Sequence, residues 1–109
     1  METTSSMTSL MERISEEELN KASNILKVIA HPVRMCIVDL LRDNNRLSVV
    51  ELQGLLNLEQ PIASQHLTLM QDKGILRSER VGKNRFYSLA KTDLTRVVDC
   101  IEHCLGGSK

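Results

Sequence analysis

The chain has 109 residues, 14 basic against 14 acidic, and its only aromatic side chains are Phe86 and Tyr87. That length is one domain, its core must come from Leu, Ile, Val and Met, and a net charge of zero says nothing for or against nucleic acid. The amino terminus METTSSMTSL lacks the basic-then-apolar order of a secretory signal, no apolar run approaches the roughly 20 residues of a membrane helix, and three cysteines fit cytosolic thiols better than a disulfide framework. The expectation is a cytoplasmic protein with no membrane partner.

Residues 1–14 are rich in Ser, Thr and Met, with Met7, Leu10, Met11 and Ile14 at helix-like intervals, and are expected to form a flexible or docked arm. The folded domain should span 15–105, leaving 106–109 as a tail. Ser15 with Glu18 forms a capping box, opening a helix that runs to about Ala30. Its apolar positions, among them Leu19, Ala22 and Leu26, cover more than one stripe, which implies burial on two sides. His31-Pro32 breaks the chain, and a second helix follows to Arg42 with Val33, Cys36, Ile37, Leu40 and Leu41 as its buried face. After a turn at Asp43–Arg46, Ser48 and Glu51 cap a third helix, Val49–Leu56, with Val49, Leu52, Leu55 and Leu56 inward.

The helix from Pro61 divides by helical spacing. Ala63, Leu67 and Met70 form one face; Pro61, Ser64, Gln65, Thr68 and Asp72 form the other. Short uncharged hydrogen-bonding groups suit the approach to base edges in a major groove. Gly74 stops this helix, Ile75–Arg80 and Arg85–Leu89 alternate as strands, and Val81-Gly82-Lys83-Asn84 turns between them. Thr92 is the expected N-cap of a last helix ending at Leu105, with Gly106-Gly107 as its stop and Leu94, Val97, Val98, Ile101, Cys104 and Leu105 as its apolar stripe. The fold class is mainly α (α+β), a winged helix-turn-helix of about five helices and a two-stranded wing. A small domain gains from a dimer interface, here between first and last helices through Leu19, Ala22, Leu26, Leu94, Val97, Val98 and Ile101.

Charge is unevenly spread. Residues 1–59 carry a net of −3, residues 92–109 a net of −1, and residues 60–91 carry +4 from Lys73, Arg77, Arg80, Lys83, Arg85 and Lys91 against Asp72 and Glu79. That is the footprint phosphate binding requires. Contacts to double-stranded DNA are expected from Gln60, Ser64, Gln65, His66, Thr68, Arg77, Arg80, Lys83 and Arg85, with His66 alternatively bonded inside the domain.

The run His31-Pro32 with Arg34, Leu47–Leu52, Gln60-Pro61, Ser64-Gln65-His66-Leu67, Lys73-Gly74-Ile75-Leu76 and Arg85–Leu89 resembles the ArsR/SmtB family of bacterial winged-helix repressors. The resemblance implies a homodimer on an inverted-repeat operator, released by an inducer. It does not name the inducer. One family metal site places cysteines where this chain has Ser48 and Val50; another uses ligands where it has Lys91, Asp93, Cys104 and Gly107. Neither is intact, so no metal and no cofactor are expected. Cys36, Cys100 and Cys104 remain either packing residues or sensor thiols, with Cys36 expected on a buried face. A metal site built from Cys100, His103 and Cys104 lacks a fourth ligand, and an i, i+4 disulfide would distort the helix. No nucleophile motif, phosphate loop or Cys-x-x-Cys points to an enzyme. Besides a DNA-binding repressor, a metal-responsive repressor with a non-standard site and a winged-helix interaction module stay open.

Overall fold

The computed structural model describes residues 13–106, apart from the side chain of Thr92. Most of the expected arm, with Met7, Leu10 and Met11, and the tail from Gly107 lie outside the described residues. In order come α1 (Glu16–Ile29), α2 (Pro32–Asp43), β1 (Leu47–Ser48), α3 (Val49–Leu56), α4 (Gln60–Asp72), β2 (Leu76–Val81), β3 (Asn84–Leu89) and α5 (Thr95–Cys104).

Local chemistry accounts for the boundaries. At α1, Ser15 Oγ accepts the Glu18 N–H at 3.1 Å and Glu18 returns a carboxylate oxygen to the Ser15 N–H at 3.0 Å. Ser48 and Glu51 repeat this at α3. His31 caps α2, its Nδ1 accepting the Val33 N–H at 3.1 Å, while Pro32 occupies the first turn. Asn57 ends α3 in the left-handed region at φ 56°.

The helix α2 is the centre of the molecule, packed against α1, α3, α4, α5 and β3. Its Ile37, Val38 and Leu41 join Ile29, Leu52, Leu67, Met70 and Ile75 in one core. The expected face is turned by about one position: Val38 is fully buried and Cys36 is exposed. Neighbours lie on the 37/38/41 side, so Cys36 falls to the flank. In α3, Leu52 is fully buried but Leu55 is 58% exposed, because α2, α4 and the sheet cover only one side of that short helix.

The sheet has three strands, not two, in the order β1-β3-β2 and all antiparallel. Leu47 and Ser48 pair with Tyr87 and Phe86, so Ser48 is at once a strand residue and a helix cap. Two residues are too few to show a period of two. The loop between β2 and β3 is Gly82-Lys83, with φ +64° at Gly82, as a tight hairpin with glycine at its first central position requires. Residue 92 does not cap α5; it opens a 3-10 turn, Thr92–Leu94, and the helix begins at Thr95. Gly106, at φ +68°, closes α5 by donating to the His103 carbonyl at 3.0 Å.

Burial of α3 is therefore testable residue by residue. Leu52→Ala should cost about 2–5 kcal/mol and Leu55→Ala less than about 0.5 kcal/mol, read from urea midpoints. Equal losses would mean that α3 is covered on both sides.

Candidate nucleic-acid interface

The inward face of α4 is Ala63, Leu67 and Met70, each buried to 1% exposure or less. That contact sets the opposite face outward. Pro61, Gln65, Thr68 and Asp72 are exposed and Ser64 half-buried, and with Leu69 they line an open cleft along the helix. Gln60 Nε2 donates to Ser64 Oγ at 2.7 Å, orienting the hydroxyl one turn away. A second cleft separates α4 from the wing, lined by Gln53 of α3, Gln60, Ser64 and Thr68 of α4, and Lys83, Asn84, Arg85 and Tyr87 of the hairpin. Ser64 and Thr68 line both.

Strand register sorts the basic residues. Arg80 and Arg85 are directly opposed across β2 and β3, on the sheet face that also carries Leu76, Tyr87 and Leu89. Arg85 Nη1 donates to Ser78 Oγ at 2.8 Å, and the Arg80 Nε–H reaches the Gly82 carbonyl at 3.5 Å. Like charges directly opposed across a ladder are unfavourable, and an anion between them removes the conflict. Arg77 pairs with Ser88 on the other face, beside Glu79 and Phe86. It lines a different cleft with Arg42 and Arg46. Lys73 and Lys91 lie elsewhere again, around a cleft beside α1. The sequence cluster of +4 is three spatial groups, and only Arg80, Lys83 and Arg85 accompany α4.

Three residues missed by the sequence reading enter this picture. Gln53 and Asn84 line the groove between α4 and the wing. Arg46 stacks its guanidinium 4.3 Å above the Phe86 ring and pairs with Glu79 at 3.3 Å. Gln53 could have been found as the polar flank of α3; Arg46 is delivered by the pairing of β1 with β3, which left no trace in composition.

His66 is bound within the domain. Its Nδ1 accepts the Arg34 Nε–H at 3.1 Å, and Arg34 also donates to the Val28 carbonyl at 3.1 Å. Because Arg34 can only donate, the neutral ring carries its proton on Nε2. The His31 ring meets it edge-on with centroids 4.8 Å apart. Burial, then His31 and Arg34, hold the His66 pKa below the ordinary 6.5.

The thiols are all exposed, which corrects the packed assignment of Cys36. Cys36 lines a small cleft with Met35, Asp39, Val98, Ile101 and Glu102. Donation of the Cys100 S–H to the Cys104 sulfur, which favours the protonated form, and repulsion between the two sulfurs raise the Cys100 pKa. Among the described residues no group of three or more His, Cys, Asp or Glu converges to hold a metal; Ser48, at one family ligand position, spends its hydroxyl on the helix cap. No helix there is long and apolar enough to cross a membrane.

No family model matches the chain. Relatives decide the matter. The biofilm growth-associated repressor of Xylella fastidiosa is 33% identical over 86 residues, covering 79% of this chain and 75% of that protein. The solved structure of HlyU from Vibrio cholerae superposes with a TM-score of 0.73 at 31% identity, over 82% of this chain and 96% of that one. The transcriptional repressor SmtB of Mycobacterium tuberculosis is 39% identical over 88 residues. This chain belongs to the ArsR/SmtB family. Its match to SmtB spans 64% of that repressor's length. Within the ArsR/SmtB frame the wing, the helix pair α3–α4 and the core take the places that the sequence motifs indicated, and the protein's kin are transcriptional regulators, not enzymes.

The His66 contact has a pH consequence. A pKa lower in the folded than in the unfolded state means that the unfolded chain binds the proton more readily. Stability from this group is complete above about pH 6.5 and is lost as pH falls through the lowered folded value. Urea midpoints of the wild type should decline over that interval, and His66→Gln should flatten that part of the decline. An unchanged profile would remove His66 from the acid response.

Proposed function

We propose that this chain is a cytoplasmic, homodimeric, sequence-specific DNA-binding regulator, a repressor that reads an inverted-repeat operator with α4 and grips phosphates with the wing. One observation carries this reading: Ser64 and Thr68 of α4 share a groove with Lys83 and Arg85 of the hairpin, while Gln65 stands exposed beside it. A glutamine can pair with an adenine edge through two hydrogen bonds. The opposed Arg80 and Arg85 gain from a phosphate between them. Relatives carry the names repressor and, for HlyU, activator; release of a repressor is the simpler mechanism.

Dimerisation is supported by what α1 and α5 leave uncovered. Leu26 is 50% and Leu105 80% exposed, Ala22 is exposed, and Leu19, Leu94, Val97 and Ile101 are half-buried. Val98, also assigned to the dimer contact, is buried against its own chain, so a partner would meet the residues around it. Thiol-linked release is the favoured control, since Cys100 and Cys104 contact each other on α5 and both are accessible. The raised Cys100 pKa weakens its nucleophilicity at neutral pH, which leaves Cys104 or Cys36 as the first thiol attacked.

The test uses a duplex selected from random sequence by the protein itself. Gln65→Ala should lose about 1–3 kcal/mol on that duplex and almost nothing on random DNA, read by fluorescence anisotropy. Replacing Arg80, Lys83 and Arg85 together by Ala should lower the salt slope by roughly 0.9 for each phosphate contact removed. Equal losses for Gln65→Ala on both duplexes, or an unchanged slope for the triple variant, would contradict the assignment. Leu26→Glu should place an unpaired charge in the dimer contact at a cost of several kcal/mol and yield monomer in sedimentation; a stable dimer would put the interface elsewhere.

A further inference from the structure

Three of the six basic residues in 60–91 lie apart from the groove beside the wing: Arg77 lines the cleft with Arg42 and Arg46, and Lys73 and Lys91 lie together elsewhere. These two lysines meet Lys21 around a separate cleft of about 460 Å³, between α1, the end of α4 and the segment entering α5. The lining is completed by Asn24, Ile25, Asp72, Gly74 and Leu94. That volume lies in the range of small-molecule sites.

The cleft has a two-part chemistry. Its apolar wall is Ile25 and Leu94, both half-buried and packed on the core from behind. Its rim is three exposed ammonium groups drawn from three segments far apart in sequence. Two other cations are neutralised within the chain: Arg42 pairs with Asp39, Asp43 and Asp99, and Arg46 with Glu79. Lys21, Lys73 and Lys91 form no ion pair or side-chain hydrogen bond among the described residues. Asp72 is the one carboxylate in the lining, so the cleft keeps an excess of two positive charges. Gathering such charges at one cleft is unfavourable without a counter-ion.

We propose that this cleft binds a small organic dianion, an aryl or alkyl phosphate or a dicarboxylate, with its apolar body on Ile25 and Leu94 and its charged head between the three lysines. On α1, Lys21, Asn24 and Ile25 share one helical face, while Leu19, Ala22 and Leu26 lie around the other side. A dimer formed through the second face of α1 leaves Lys21, Asn24 and Ile25 uncovered, and Leu94 is the lining residue that the cleft shares with the dimer contact. Its position joins α1 to the carboxyl end of α4, so an occupant bears on the angle between the dimer helix and the outward face of α4. That consequence rests on the DNA-binding function proposed above; the binding itself does not.

The experiment is an amide chemical-shift titration of the full chain, without DNA, using phenyl phosphate in one arm and isophthalate in another. Inorganic phosphate and phenol serve as controls. Saturable shifts should centre on Asn24, Ile25, Gly74 and Leu94, and the better dianion should bind about tenfold tighter than either control. The arm that saturates identifies the head group. Lys21→Gln with Lys91→Gln should weaken binding about tenfold with an unchanged melting temperature. Shifts centred on Arg80, Lys83 and Arg85, equal affinity in the double variant, or no saturation by either dianion would overturn the site. Because DNA is absent, failure here leaves the regulator reading standing, and the reverse also holds.

Discussion

The outward face of α4 can present bare hydrogen-bonding groups only because its inward face and its partner helix hold it in one place. Three buried side chains, Ala63, Leu67 and Met70, supply the apolar part of that hold. The Arg34–His66 hydrogen bond supplies the directional part, and Arg34 extends it to the end of α1 through the Val28 carbonyl. One guanidinium thus ties three helices together. Loss of that donor geometry would leave α4 packed by dispersion and burial, which are non-directional, and the register of its outer face would loosen.

The same economy appears at the sheet. Ser48 completes β1, caps α3 and accepts the Glu51 N–H, all from a buried position. Its pairing with Phe86 brings Arg46 over the aromatic ring on the outer sheet face, while Tyr87 and Leu89 turn to the core. The wing is therefore anchored on both faces at its base and free at Gly82-Lys83, where the loop is exposed. At the other end of α2, Arg42 meets Asp99 and links the core to α5. Partly exposed, that link is modest in energy, and it lies beside the cleft that Cys36 shares with Val98 and Ile101.

Short-range chemistry was the most readable part of the sequence. The capping boxes at Ser15 and Ser48, the glycine turn of the wing and the division of α4 into two faces all depend on residues three or four apart, and all are present in the structure. What tertiary packing decides was less readable. Cys36 and Val38 are two residues apart on one helix, and only the arrangement of neighbours selects Val38 for the core. Leu55 was placed inward by its type, yet it stands 58% exposed. The separation of Arg77 from Arg80 and Arg85 was available from parity, since a strand alternates its faces; the charge count concealed it. The convergence of Lys21 with Lys73 and Lys91 had no sequence trace at all, because it depends on how α1 lies against the end of α4.

Engagement of DNA by paired α4 helices and wings as a two-fold unit can be read from a hydroxyl-radical footprint on a selected duplex. Two major-groove contacts should be centred about 10 base pairs apart, roughly one helical turn, each flanked by protection where the wing meets the backbone. A single uninterrupted footprint, or protection that persists unchanged when the wing arginines are removed, would contradict that engagement.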